Sequence, residues 1–333
     1  MDITAHALAS YALTRGFFPR RRWPIAVGML VAGTLADLDL LSAAFGPSAY
    51  FAAHRTYTHS IAGTLLILLV VSLFTRFLDK KQTESFGGLL LPIAVAAGSH
   101  VVLDLLQSEG IALLWPFRSA RFALDWLPNI DPWILAILLS GILFPELLRL
   151  VSSEIGAKDK TPRGRNGAIV ALVLIAVYLG GRALLHSSAV TSLDPHSYHG
   201  ESARRVGAFP DALSLLSWHG VVETESLFCL AEVPVGPGRT FDPENVDCLH
   251  KPEPSRELEA AQKTTVAKEY ITAVPFPRAI VATTQNGYEV VIRSMRDIAE
   301  DEVRHRVAAR ILLDPNFSVA SQELVWAGDV HLR

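Results

Sequence analysis

The sequence predicts an all-α helical membrane bundle of five or six transmembrane helices, followed by a small β-rich domain outside the membrane. Half of the 333 residues are hydrophobic and 19% are charged, which is more apolar than a typical soluble chain. Long apolar runs are concentrated before residue 187, whereas alternating apolar and polar residues with turn signals follow it. We therefore expect a membrane-embedded helical domain over residues 1–186 and a β-rich domain over residues 187–333.

The apolar runs define the predicted helices in chain order. One segment, at about 24–45, is apolar but carries Asp37 and Asp39 toward its end, and it is counted in addition to the four given below. Residues 1–18 form a shorter stretch whose crossing is left open, and without a basic region ahead of its apolar run we expect no cleaved signal peptide. Four segments are long enough to cross a bilayer, which takes about 20 residues: 61–78, 87–107, 131–149 and 167–185.

Basic residues orient these segments. They cluster at residues 20–22, 76–81 and 149–165, and placing all three clusters in the cytoplasm satisfies the positive-inside rule. Arg118 and Arg121 then lie on the opposite side, against the rule. The histidines and aspartates of the bundle fall near the external ends of their segments, and the C-terminal domain is predicted to be extracytoplasmic.

Two pairs of polar residues lie inside the apolar segments, where such residues are costly and often functional. His100 and Asp104 are four residues apart and share one helical face. This spacing suits two ligands of one metal or a histidine with an orienting carboxylate, and a hydrogen-bonded pair that joins helices is the structural alternative. Asp37 and Asp39 point about 200° apart in a regular helix, so both serve one site only if the helix ends there.

The sequence HRTYTHS, residues 54–60, stands directly before an apolar run. A helix that begins near Thr58 lets His54 and His59 both point inward. The planar side chain of Arg55 matches phosphate and carboxylate groups, so it could bind an anionic part of a substrate, with an interfacial anchor as the alternative. Histidine and aspartate ligands together suit a divalent metal, Zn²⁺ first, with Mn²⁺ or Fe²⁺ as alternatives.

Five stretches occur in a recognisable order: DITAHALASYAL, GTLADLDLL, HRTYTHS, HVVLDLLQSEGIALLWPF and RFALDWLPNIDPW. Together they resemble the bacterial membrane-bound metal-dependent hydrolases of the YdjM type over roughly residues 1–150. That family is distantly similar to zinc-dependent phospholipases C and trinuclear-zinc nucleases, in which a His-x-x-x-Asp helix supplies metal ligands. The resemblance implies a metal-dependent hydrolase in the bacterial cytoplasmic membrane whose candidate metal residues are His6, Asp37, Asp39, His54, His59, His100 and Asp104.

One position departs from the family pattern. Members often have proline before the first aspartate of the LADLD motif, where this chain has Ala36. A proline would help to break the helix, so its absence argues against joint use of Asp37 and Asp39 at one site.

The predicted reaction is hydrolysis of a phosphoester or a related ester by metal-activated water. Asp37 or Asp104 would accept a proton if it is not a ligand, and Arg55 would stabilise developing negative charge. The site is predicted at headgroup level, so membrane lipids are the expected partners and a lipid-derived substrate is plausible. The net charge of −3 gives no general basic field, and no nucleic acid partner is expected.

Two other classes of function stay open. The protein could be non-catalytic, with a structural metal at the His/Asp cluster and an external domain that binds a partner. It could also be an ion-coupled transporter, which would have polar residues distributed through the bilayer and repeated segments. The sequence has neither of those two transporter features.

Local signals complete the prediction. Asp131 precedes a proline and is expected to cap a helix, with metal binding as its second role. Asn286-Gly287 predicts a hairpin turn, and residues 254–270 could form a short surface helix. Cys229 and Cys248 both lie in the predicted external domain, where they could form a disulfide.

Overall fold

The computed structural model describes residues 2–18, 23–80, 85–154, 164–299 and 306–329. The basic cluster at 20–22 and most of that at 149–165, which orient the predicted helices, lie outside these residues. The chain divides into two compact units. The first contains Met1–Asp39, Arg55–Arg118 and Phe122–Ala183, and the second contains Leu40–His54, Ser119–Arg121 and Leu184–Arg333.

The regular elements described before residue 194 are helices. A 3₁₀ segment, Leu35–Phe45, follows the second helix. Several helices start where the sequence supplies a capping side chain: the Ser60 hydroxyl, for example, accepts a hydrogen bond from the Gly63 amide at 2.9 Å, which satisfies one free amide of the first turn. The α-helices are α1 (Ile3–Phe17), α2 (Trp23–Ala32), α3 (Pro47–Ala53), α4 (Ile61–Leu78), α5 (Phe86–Leu105), α6 (Pro132–Glu154) and α7 (Arg165–Leu193).

The number of membrane spans is lower than the sequence predicted. Among the described residues, α4, α5 and α7 are long and apolar enough to cross a membrane, and α2 with the 3₁₀ segment makes a fourth if this pair, bent by 42°, is one span. The prediction of five or six was therefore too high. The 15 residues of α1 extend about 22 Å, less than the ~30 Å hydrocarbon core, and the apolar stretch found within the described residues of α6 is Pro132–Leu148.

The first unit has two apolar cores. One lies among α2, α4 and α5 and contains Ile25, Met29, Val71 and Ile93. Gly28 permits close approach of α2 to α4, because a Cβ atom at this position would overlap the Thr75 side chain. α2 packs against α4 and α5, and Gly33, just after α2, lies within hydrogen-bonding distance of His100 near the end of α5.

The second unit is β-rich, which confirms that part of the predicted fold class. Strands β3 to β6 form one antiparallel sheet in that order, β7 to β10 form a second in the order β10-β9-β8-β7, and β1 pairs with β2. The elements in chain order are β1 (Ser197–Tyr198), β2 (Glu201–Ser202), β3 (Arg205–Pro210), β4 (Ser217–Glu223), β5 (Leu227–Pro234), β6 (Asp247–His250), α8 (Arg256–Gln262), α9 (Thr265–Ala273), β7 (Pro277–Thr284), β8 (Gly287–Ser294), α10 (Met295–Ala299), β9 (Val307–Leu313) and β10 (Val319–Trp326).

Two local predictions are corrected in detail. The hairpin between β7 and β8 forms, but Thr284 pairs with Gly287, so the two-residue turn is Gln285–Asn286, one residue earlier than predicted. Gly287 has a φ of +137° and leaves no space for a Cβ next to the Leu313 carbonyl, which explains the glycine. The predicted helix at 254–270 is two helices, α8 and α9, because Thr264 starts a new one by accepting a hydrogen bond from the Ala267 amide.

The two cysteines are paired across neighbouring strands. Cys229 of β5 lies directly opposite Cys248 of β6 in the sheet register, and the two form a disulfide. Cys229 is completely buried within the core of this sheet. The bond therefore links the edge strand β6 covalently to the sheet interior.

Replacing both cysteines with alanine is expected to lower the free energy of unfolding of the second unit by about 3 kcal/mol, the chain-entropy value for a closed loop of sequence separation 19. Hydrogen exchange of the β4 and β5 amides in the full chain would measure the loss. Reduced wild-type protein is the matched control and should lose the same amount. Free thiols in protein purified without reductant would contradict the pairing.

Candidate metal centre

Four side chains from three elements converge in the first unit. One ligand atom from each lies within 4.8 Å of the others. His6 comes from α1, Asp37 from the 3₁₀ segment, and His100 and Asp104 from successive turns near the end of α5. His6, His100 and Asp104 are at most 1% exposed. This group could hold a metal ion.

His59, just before α4, lies against the same group. Its Nε2 atom is 3.0 Å from Asp104 Oδ2, 3.8 Å from Asp37 Oδ1 and 3.0 Å from His100 Nε2. Ligand atoms around a tetrahedral zinc ion, each about 2.0–2.1 Å from the metal, are separated by about 3.3 Å. The spacing around His59 is therefore close to that of a coordination shell.

The ring nitrogens of His100 and His59 that face away from the cluster have acceptors. His100 Nδ1 lies 2.9 Å from the Gly33 carbonyl oxygen, just after the end of α2. His59 Nδ1 lies 3.1 Å from Asp39 Oδ2. When the ring proton on the far nitrogen is donated to this oxygen, the neutral form of each imidazole would present the lone pair of Nε2 to a cation in the cluster. This arrangement is common around histidine ligands of metals.

Asp37 and Asp39 both contact histidines of the cluster, but from different positions. Asp37 faces the histidines directly, at 3.7 Å from His100 Nε2. Asp39 lies behind His59 and also accepts hydrogen bonds from the Thr58 hydroxyl and the Arg55 amide, at 2.8 and 2.9 Å. The regular helix ends at Ala32, before either aspartate, so the expectation that Ala36 prevents joint use does not hold.

Asp104 connects the two sides of the group. Its Oδ1 atom is 3.2 Å from His6 Nε2 and 3.5 Å from Arg55 Nη2, whereas its Oδ2 atom faces His59 and His100. The rings of His6 and His100 also stack, with centroids 3.9 Å apart. Asp104 is completely buried, so each of its oxygens is enclosed by these polar partners.

Arg55 is fixed by both its backbone and its side chain. It has a φ of +58°, a conformation that costs an L-residue roughly 1–2 kcal/mol. Its Nη2 atom donates to Gln107 Oε1 at 2.5 Å, and its Nε atom lies 3.5 Å from Glu109 Oε2. Gln107 and Glu109 were missed in the sequence. Gln107 lies two residues after α5 ends at Leu105, so a helical spacing from Asp104 does not account for its position.

The electrostatic environment favours a positive charge. His59 lies outside the candidate spans; its burial alone would lower its pKa, but the carboxylates of Asp104, Asp37 and Asp39 outweigh burial and raise the pKa to about 10. Like charges in a buried site repel strongly unless a cation compensates them. The carboxylates therefore create a field that would attract a divalent ion.

Two other predicted residues have different surroundings. The His54 ring stacks on Tyr50, with centroids 4.7 Å apart, and the group of four converging residues does not include it. Asp131 caps α6 as predicted: its Oδ1 atom accepts from the amides of Trp133 and Ile134, and its Oδ2 atom accepts from the Tyr178 hydroxyl. These contacts satisfy both oxygens of Asp131.

One buried carboxylate oxygen of the cluster could bind a further ligand. Asp37 Oδ2 has no hydrogen-bond partner among the described residues, and an unsatisfied buried acceptor costs about 1–3 kcal/mol. A carboxylate with a free oxygen beside imidazole nitrogens is the kind of donor set that zinc binds. The residues present therefore fit a divalent cation.

The apolar helices and the enclosed His/Asp group define a helical membrane protein with a candidate metal-binding cluster. The chain belongs to the YdjM family, since the family model described as YdjM inner membrane protein matches residues 1–189. This confirms the family that the sequence motifs indicated, and the family name together with the apolar helices indicates an inner membrane protein. No curated protein and no solved structure matched the chain.

Proposed function

We propose that the protein is a membrane-bound metal-dependent hydrolase. A divalent cation, Zn²⁺ first and Mn²⁺ or Fe²⁺ second, would be held by His6, Asp37, His59, His100 and Asp104. The proposal rests on the convergence of these side chains: four of them have ligand atoms within 4.8 Å of one another, and His59 lies 3.0 Å from Asp104. The far ring nitrogens of His100 and His59 also contact oxygen atoms, which orients the two rings. Asp39 orients His59 in this proposal, and metal binding by His54 stays a prediction from the sequence.

The cation, Asp37 and Arg55 would have different roles in hydrolysis. A divalent cation at this centre would supply Lewis acidity toward an ester oxygen and lower the pKa of a water molecule. Asp37 would bind the cation through Oδ1, the oxygen that faces the histidines, and it would accept a proton only at Oδ2, which has no hydrogen-bond partner among the described residues. Arg55 supplies positive charge beside Asp104 and would stabilise negative charge that develops on the substrate.

The proposed location is the outer face of the cytoplasmic membrane, with the C-terminal domain extracytoplasmic. The Cys229–Cys248 disulfide supports this placement, because such bonds persist mainly in oxidising compartments. The candidate ligands also sit at the ends of apolar helices, at the start of α4 and the end of α5. A substrate there would meet the site at headgroup level, so we propose a phosphoester or related ester, with lipid-derived esters first.

Metal removal is expected to abolish hydrolysis. Detergent-purified protein would be assayed with bis-p-nitrophenyl phosphate and with fluorescent phospholipids, before chelation, after chelation and after addition of Zn²⁺ or Mn²⁺. Activity should disappear on chelation and return with metal, because the cation supplies the Lewis acidity.

An Asp37→Asn variant tests the role of this carboxylate in the same assay, and Asp211→Asn is its matched control. The Asp37→Asn variant should keep the fold and lose most of the activity, whereas Asp211→Asn in the second unit, an aspartate near His219, should change nothing. Stoichiometric metal binding without turnover of any ester in the panel would favour the alternative in which the metal is structural.

A further inference from the structure

Gln107 makes polar contacts on two sides within the first unit. It follows α5, which ends at Leu105, and it is completely buried. Its Oε1 atom accepts from Arg55 Nη2 at 2.5 Å. Its Nε2 atom donates to the carbonyl oxygens of Pro128 and Asn129, at 3.1 and 3.0 Å. The Gln107 side chain therefore joins Arg55 to the loop that precedes α6.

The partners of Gln107 allow one orientation of its amide group. A backbone carbonyl oxygen only accepts hydrogen bonds and a guanidinium only donates them, so the NH₂ group faces the loop and Oε1 faces Arg55. The reverse orientation would set donor against donor at Arg55 and oxygen against oxygen at the loop. A carboxylate or an apolar side chain at position 107 would not offer an acceptor on one side and two donors on the other.

The loop before α6 is itself firmly attached to the helices of the first unit. Gln107 and Leu127 form a parallel β-bridge, and the amides of Trp126 and Leu127 donate to the Leu106 carbonyl oxygen at 2.9 and 3.0 Å. Arg182 of α7, which is 1% exposed, donates through Nε to the Trp126 carbonyl oxygen at 3.0 Å. The loop is therefore a fixed support for the Gln107 amide.

Arg55 is the kind of side chain that needs such a support. Arginine has several rotatable bonds and loses much conformational entropy when it is held in one place. Asp104 Oδ1 and Glu109 Oε2 each lie 3.5 Å from a guanidinium nitrogen, so the 2.5 Å bond to Gln107 is the shortest of these three contacts. A buried hydrogen bond to a charged group is also stronger than one between neutral groups.

We infer that Gln107 is a positioning residue for Arg55: it holds the guanidinium beside Asp104 by fixing it to the loop before α6. The inference rests on the proposed function where it concerns hydrolysis. Negative charge that develops on an anionic ester would then meet a guanidinium that is already in place, and charged groups placed in advance stabilise a transition state most effectively.

The test is a double-variant cycle with Gln107→Met, Arg55→Met and both changes together in the full-length, detergent-purified chain. The Ala112 amide donates to the Arg55 carbonyl oxygen at 2.9 Å, so its hydrogen exchange measures local opening at Arg55. Each single change should accelerate this exchange by about tenfold, because each removes the same hydrogen bond to a charged group. The double change should accelerate it no further, since two residues that share one interaction do not have additive effects.

Hydrolysis of bis-p-nitrophenyl phosphate with Zn²⁺ or Mn²⁺ provides the second measurement. The rate should fall by about a hundredfold in Gln107→Met, the loss expected when a group in a site moves by about 1 Å, and the double variant should be no slower than Arg55→Met. Gln322→Met in the second unit is the matched control. It removes an oxygen that accepts from the Val266 amide at 3.2 Å, and it should change neither the Ala112 exchange nor the rate.

A second variant, Gln107→Asn, keeps the amide but is one methylene too short to reach both partners, and it replaces Gln107→Met in the cycle if methionine prevents folding. Unchanged Ala112 exchange in the Gln107 variants would overturn the inference. Effects that multiply in the double variant would overturn it as well, since Gln107 would then act independently of Arg55. If the wild type hydrolyses no ester with either metal, the proposed function fails, while the exchange cycle still decides whether Gln107 holds Arg55.

Discussion

A His59→Ala/His100→Ala double variant is expected to lose its divalent metal. The Nε2 atoms of these residues are 3.0 Å apart and face the two central carboxylates, so the change removes two neutral nitrogen donors from one side of the centre. Elemental mass spectrometry of detergent-purified protein should find at least one equivalent of zinc or manganese in the wild type. The double variant should retain only a small fraction of it.

The control for this experiment is a His219→Ala/His250→Ala variant, which removes two histidines from the second unit. It should bind as much metal as the wild type. Circular dichroism and size-exclusion chromatography would check that both variants fold. Equal metal content in the His59/His100 variant would exclude these residues as ligands, and a wild type that binds no metal even after reconstitution would overturn the metal proposal.

Asp104→Asn is expected to weaken metal binding by about a hundredfold or more, beyond the effect of changing a group that only supports a ligand. The carboxylate of Asp104 contacts His6, His59 and His100, and the amide keeps its shape but not its charge. The rate of hydrolysis should fall together with the metal affinity. Titration with Zn²⁺ against a competing chelator would measure the affinity.

Asp131→Asn is a matched control, because Asp131 and Asp104 are both completely buried. Asparagine is also a good N-cap residue, so α6 should keep its start and metal affinity should not change. A comparable loss of affinity in both variants would mean that burial of an altered aspartate, and not ligation, weakens the site.

Local chemistry in the sequence indicated most of the centre. The spacing of His100 and Asp104 placed both on one face of α5, and the structure brings them together with His6, Asp37 and His59. The same kind of reasoning failed at the two aspartates. The chain leaves the regular helix at Ala32, with Gly33 as the acceptor for His100, so a proline before Asp37 was not needed.

The count of spans shows a second limit of sequence patterns. Hydropathy identifies apolar residues, but it does not report where a helix bends or how long its regular part is. The number of spans depends on two features of the structure: the 42° bend between α2 and the 3₁₀ segment, and the length of α1, which has 15 residues. Capping signals were more reliable, since Asp131 starts α6 through hydrogen bonds within three residues.

The sequence by itself determined the family, the division into helical and β-rich parts, and most residues of the candidate metal cluster. These follow from motifs and periodicities that act over a few residues. Only the tertiary structure decided that Asp39 supports His59, that Gln107 and Glu109 contact Arg55, and that α3 packs within the second unit. Those roles depend on contacts between residues far apart in the chain, such as Tyr50 and Trp326, and a local pattern contains no information about which distant side chain will fill the adjacent space.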